Sequence, residues 1–167
     1  MEKENVMIKT LHLDLNFTEF IKTGKFGFVK LGMSKPELEK NFFPPEDWLN
    51  GDTPETSRIW KYGNFELHFD DGLKVSGIFN DYVPEFDGGK SIKIQDWWIF
   101  KNGKKAPNLM ETIEYLNKRK LDFIKKTNPI GLVSLKLKNQ VYMTFEYIGE
   151  TEGLDHNEFK MVAIGKN

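Results

Sequence analysis

The chain contains no cysteine in 167 residues. That excludes disulfides, thiolate-held zinc and thiol nucleophiles, and it is the composition expected in a reducing cytoplasm. No run approaches the ~20 consecutive apolar residues of a membrane-spanning helix. The opening MEKENVMIKTLHLDLN is broken by Lys9, His12 and Asp14, so it lacks the unbroken apolar stretch of a secretory signal. Histidine is scarce: His12, His68 and His156 lie far apart, and no metal is expected. The net charge is only −1, so no global field draws the protein to nucleic acid or to an anionic membrane. A cytoplasmic protein with no cofactor and no membrane partner is the expectation.

Aromatic residues, in contrast, are abundant. Fourteen Phe, four Trp and five Tyr bring the aromatic share to 14%, enough to offset the ordering entropy of a packed core. At this length one domain over 1–167 is expected, with 1–10 loosely held.

A short alternating segment, LHLDL, is followed by a helical turn over 17–21. In GMSKPELEKNFFPP several helix-start rules agree. Ser34 can cap, Glu37 can close a capping box, and Met33 with Leu38 can form a hydrophobic staple. A helix over 35–42 is predicted, with Leu38 and Phe42 facing inward and Pro44-Pro45 ending it. Residues 44–57 read as a polar loop. Strands are predicted at 57–62, 65–69, 73–79 and 91–100, with a loop at 81–89 and the turn KNGKK after Phe100. A longer helix is predicted over 108–125, stopped by Asn128-Pro129. Two alternating strands follow, Val133 to Leu137 and Val141 to Tyr147, and then a last strand over 159–165. The predicted fold class is α+β: a mostly antiparallel sheet of meanders, with one short and one longer helix packed on one side.

The stretch RIWKYGNFELHFDDG gathers Glu66, His68, Asp70 and Asp71 within six positions. Gly63-Asn64 suits a two-residue turn that pairs Tyr62 with Phe65 and Trp60 with Leu67. At the far end, a three-residue loop Asp70-Asp71-Gly72 would pair Phe69 with Leu73 and Leu67 with Val75, with Gly72 in the left-handed position. Glu66 and His68 then share the outer face, opposite Ser76 and Lys74, while both Asp residues serve the turn. A lysine facing the pair argues against a metal there. No catalytic residue and no cofactor-binding or metal site is expected. GxSxG, Walker, HExxH and GxGxxG patterns are all absent, and EFDGGKS lacks the first glycine of a phosphate loop.

Charge is unevenly placed. Residues 64–89 carry Glu66, Asp70, Asp71, Asp81, Glu85 and Asp87 against Lys74 alone. Residues 146–158 carry Glu146, Glu150, Glu152, Asp155 and Glu158 with no Lys or Arg. The span 101–126 is basic, with Lys118, Arg119, Lys120, Lys125 and Lys126 toward its end. Such faces keep a Phe-rich protein in solution, or they meet a partner of opposite charge. Trp48, Trp97 and Trp98 are further interface candidates if they face outward.

LGMSKPELEKNFFPPEDW followed by RIWKYGNFELHFDDGLKVSGIFNDY resembles immunity proteins of bacterial polymorphic toxin systems and their relatives. The resemblance covers residues 28–82. It implies a non-enzymatic protein that neutralises a cognate toxin by stoichiometric contact. The partner-binding candidates come from charge alone: Asp70, Asp71, Asp81, Glu85 and Asp87, with Glu150, Glu152 and Asp155 as a second patch. Acidic loops of this kind could cover the basic active site of a nuclease toxin. The alternatives are a small hydrolase-like or metal-using enzyme built on Glu66 and His68, a ligand-binding α+β domain, and a nucleic-acid binder using Lys118 to Lys126.

Overall fold

The computed structural model describes residues 12–83, 85–95, 106–149 and 159–167. The fold is α+β, as expected. An eight-stranded antiparallel sheet is accompanied by a separate parallel pair. The elements in chain order are β1 (Leu13–Asn16), α1 (Phe17–Thr23), α2 (Lys35–Glu39), β2 (Asp47–Leu49), β3 (Ile59–Tyr62), β4 (Phe65–Phe69) and β5 (Val75–Asn80). They continue with β6 (Ile92–Gln95), α3 (Leu109–Lys118), β7 (Phe123–Thr127), β8 (Val133–Leu137), β9 (Val141–Tyr147) and β10 (Phe159–Lys166). The large sheet runs β2-β3-β4-β5-β10-β9-β8-β7, so β10 joins two meanders, and β1 pairs with β6 beside it. No helix among the described residues is long and apolar enough to cross a membrane.

Alternation sorts the sheet into two faces. Trp60, Tyr62, Phe65, Leu67 and Ile78 on one meander, and Leu135, Met143, Phe145 and Ile164 on the other, all point into one core. Phe17, Phe20, Leu38, Leu109 and Leu116 from the helices enter the same core, so the helices cover this face. Asn16 caps α1 by accepting from the Glu19 N–H at 2.9 Å. The other end of α1 is held from across the molecule. Asn139 donates to the Ile21 carbonyl and the Lys166 ammonium to the Gly24 carbonyl.

Helix α2 begins as predicted. The Glu37 carboxylate accepts both the Ser34 N–H and its hydroxyl at 2.7 Å, and these bonds hold Glu37 below the usual carboxylate range. The helix is shorter than the predicted 35–42 and ends at Glu39, before either proline acts, although Leu38 and Phe42 are buried as expected. Its first residue was not predicted to be inside at all. Lys35 is only 5% exposed. Its ammonium donates to the carbonyls of Pro54, Glu55 and Ser57 at 2.6–2.9 Å and sits 5.1 Å and 4.7 Å from the Trp60 and Phe69 ring centres. Burial pushes this ammonium below its ordinary value, against the pull of Glu55 and Glu39. Residues 44–57 are therefore not merely a polar loop: they contain edge strand β2 and then wrap this cation. Trp48, on β2 opposite Trp60, is half-buried against the core.

The predicted helix 108–125 is corrected to Leu109–Lys118. Lys120 adopts φ 55°, and Leu121 N–H returns to the Leu116 carbonyl while Lys120 N–H returns to Asn117. This is a Schellman ending with lysine where glycine usually stands, so no glycine marked the stop. Leu121 lies beyond the helix, and Ile124 lies on β7, 63% exposed. Asn128-Pro129 belongs to the β7–β8 turn rather than to a helix end. The basic run thus ends one helix and continues along an edge strand.

The β4–β5 register is also corrected. The Gly63-Asn64 turn pairs Tyr62 with Phe65 and Trp60 with Leu67, as expected. Beyond Phe69, however, the loop is Asp71-Gly72-Leu73, shifted by one residue. Asp70 forces the shift: its N–H meets the Lys74 carbonyl, and its carboxylate accepts from Gly72 and Lys74 N–H. With the Leu73 N–H to the Asp70 carbonyl, that makes four bonds, and Asn128 organises residues 128–132 with the equivalent four. Phe69 pairs with Val75, and a bulge then resets the phase so that His68 faces Gly77 and Leu67 faces Ile78. Without the bulge Ile78 and Asn80 would face outward. Lys74 and Ser76 consequently do not face His68 and Glu66.

In the 128–132 turn the left-handed position holds Gly131, φ 87°; in the 70–74 turn it holds Leu73, φ 54°. Exchanging the residues at 72 and 73, Gly72→Leu with Leu73→Gly, is expected to stabilise the protein by about 1 kcal/mol, read as a higher urea midpoint with unchanged slope.

Candidate functional site

The hydrophobic pattern of β3, β4 and β5 brings Asn64 and Asn80 together at one end of the meander. Asn80 is 1% exposed. Its amide donates to the Asn64 carbonyl at 2.9 Å and to the Asn64 side-chain oxygen at 2.7 Å, while its own oxygen accepts the Tyr82 N–H. The Asn64 side chain also accepts the Asp87 N–H and donates to the Glu85 carbonyl at 2.6 Å. Phe86 stacks on Phe17 with 4.9 Å between ring centres and on Phe65 with 5.7 Å. Two amides and one aromatic anchor thus tie down a segment that composition alone reads as a plain acidic loop.

Glu46 completes the fixation. Its carboxylate accepts the Lys90 N–H at 2.6 Å and the Gly63 N–H at 3.3 Å, spanning two turns. Gly63 has φ 58°, and a Cβ there would collide with the Asp87 carbonyl, so the turn and the loop pack backbone to backbone. Asp87 accepts the Gly89 N–H at 2.8 Å. Asp81, Glu85 and Asp87 are all exposed on this ordered scaffold, and between Asp81 and Glu85 the loop presents Tyr82, 59% exposed. An acidic loop bonded at Tyr82, Glu85 and Asp87 and carrying an outward tyrosine has the composition of an interface anchor: ring area at small entropic cost within a field that selects cations.

The first predicted patch is not one surface. Asp70 and Asp71 lie at the opposite end of the β4–β5 hairpin, roughly 20 Å away for a six-residue strand. Asp70 is occupied by the turn. Asp71 pairs with Arg58 at 2.7 Å while remaining fully exposed. Asp81, Glu85 and Asp87 are the part that the structure gathers. Glu150, Glu152 and Asp155 lie outside the described residues, as do Trp97, Trp98, His156 and the KNGKK turn.

Glu66 and His68 share the outer face as predicted. Their side chains are hydrogen-bonded, Oε2 to Nε2, at 2.7 Å. His68 also meets Phe79 edge-on at 6.0 Å, and its register partners are Ile59 and Gly77. No group of three or more metal-ligating side chains occurs among the described residues. The pair is half-exposed on the outer sheet face, and Glu66 has Lys61 and Phe79 as its register partners, so a lysine still faces the couple, though not the one expected.

Sequence reasoning singled out the three carboxylates of the loop but missed Tyr82, Asn64, Asn80, Glu46 and Phe86. The available signal was the pattern DYVPEFD, in which aromatics interrupt the acids. No protein-family model, no curated protein and no solved structure matches this chain.

Proposed function

We propose that this protein is an immunity-type binder that neutralises a cognate bacterial toxin by stoichiometric contact, acting in the cytoplasm and without catalysis of its own. The observation that carries the reading is the acidic loop of Asp81, Tyr82, Glu85 and Asp87, held by Asn64, Asn80 and Phe86. A rigid anionic surface suits a basic target such as the active-site cleft of a nuclease, because binding loses little entropy in ordering the loop and charge selects the partner.

The test begins with the neighbouring genes: a toxin-like domain encoded beside this one is expected, and against it binding is measured by calorimetry and neutralisation by growth rescue. Changing Asp81, Glu85 and Asp87 to Lys together with Tyr82→Ala is expected to cost at least ~2 kcal/mol of binding, the scale of an interface hot spot. Glu66→Ala with His68→Ala is expected to leave binding and neutralisation unchanged. The reading is lost if the four-residue variant, combined with Asp70→Lys and Asp71→Lys, still binds and neutralises like the original. Loss of a hydrolytic activity on replacing Glu66 and His68 would assign the protein to an enzyme class instead.

A further inference from the structure

The sheet ends in a second surface of opposite charge, and it calls for a different partner from the acidic loop. β7 has a neighbouring strand on one side only among the described residues. Its pairing with β8 runs through five residues, Phe123 to Thr127, without a bulge. Ile124, Lys125, Lys126 and Thr127 are all exposed. The Asn128 N–H is bonded to Leu132, across the hairpin. By antiparallel alternation, Phe123, Lys125 and Thr127 therefore turn their N–H and C=O groups toward the open side.

The side chains on this edge select what can pair there. Lys125, opposite Leu135, lies on the core-side face; Lys126, opposite Ser134, lies on the outer face beside Ile124. A strand laid along β7 meets a cation on each face. In the fullest antiparallel register of β7 with a second copy of itself, Lys125 would face Lys125, and like charges directly opposed are destabilising. Residues 118–126 read KRKLDFIKK, five bases to one acid, and Asp122 is already paired with Lys138. The edge thus repels its own copy and favours an anion.

We propose that β7 accepts an extended acidic peptide segment of a partner protein by strand addition, with adjacent carboxylates set against Lys125 and Lys126. Main-chain bonds to Lys125 and Thr127 hold the segment in register, and the two lysines choose it by charge. Nucleic acid would use the same lysines, but it would make no use of the open main-chain groups.

The test titrates the full chain, labelled for amide NMR, with a blocked heptapeptide carrying a central Asp-Glu pair between β-branched residues. Shift changes are expected to centre on 123–127. Thr127→Pro removes one outward N–H and keeps both lysines, and an edge strand tolerates proline where its N–H faces outward. It is expected to weaken binding about tenfold, the scale of one or two cross-strand interactions. Lys125→Glu with Lys126→Glu is expected to abolish binding of the acidic peptide and to accept one carrying a central Lys-Lys pair, so the proposal does not depend on the proline variant folding. Undiminished binding by a folded Thr127→Pro would show a charge contact without strand addition and overturn the proposal. So would tighter binding and displacement by an oligothymidylate of equal charge, or a concentration-dependent dimer through β7.

Discussion

Lys35→Met is expected to destabilise this protein by about 3 kcal/mol and to lower its melting temperature by about 10 °C. The ammonium now donates to three carbonyls. Methionine preserves the aliphatic stem and removes every donor. The Pro54 carbonyl keeps the Trp60 indole N–H at 2.7 Å. The Glu55 carbonyl is partly exposed and water can reach it, whereas the Ser57 carbonyl loses a bond made in a buried setting. That last group accounts for most of the cost, because a buried acceptor without a donor keeps its full desolvation penalty. Loss of the cation over Trp60 and Phe69 adds roughly another 1 kcal/mol. Relief from burying a charge acts in the opposite direction and keeps the total from rising further. Thermal and urea melts measure the difference. A methionine variant as stable as the original would show that water replaces the ammonium at all three carbonyls.

Asn80→Ala is expected to cost about 2–3 kcal/mol, and its effect reaches the proposed binding loop. Asn80 donates twice to Asn64 and accepts from the Tyr82 N–H. Alanine leaves the Tyr82 N–H and the Asn64 oxygens short of a partner inside the core margin. Asn80→Asp is expected to be worse than alanine, although it has the same shape. A carboxylate has no donor to offer the two Asn64 oxygens, so attraction becomes repulsion. Amide exchange is the direct readout, with protection at Tyr82 and Asp87 falling by more than protection across β9. Equal loss of protection everywhere would mean that the pair supports the whole sheet rather than the loop. Binding of the proposed toxin partner is expected to weaken in Asn80→Ala even at temperatures where the protein stays folded, because the loop must then be ordered on contact.

The elements that sequence reasoning located correctly are those whose signals are local. The Ser34–Glu37 cap, the inward Leu38 and Phe42, the Gly63-Asn64 turn and the alternating β8 and β9 each depend on residues within a few positions of one another. Failures came where a local rule had two solutions. Lys120 in the left-handed region ended α3 without a glycine, and what followed was β7 instead of two more turns of helix. Asp70 chose the turn register by bonding at its own position, and the bulge beyond it corrected the phase that this choice imposed.

The same distinction governs the candidate site. The acids at 81, 85 and 87 were legible as charge, but their separation from Asp70 and Asp71 was not, because distance along β5 becomes distance in space only once the strand pairs. By itself the sequence determined the α+β class, the aromatic core and the outer-face position of Glu66 and His68, since periodicity and cap chemistry act over a few residues. Only the tertiary structure decided that Lys35 lies inside, that Asn64 and Asn80 meet, and that β7 has a neighbouring strand on one side only among the described residues. Each of those facts joins groups distant in the chain, or concerns the side of a strand that no neighbour covers, and local preference carries no information about either.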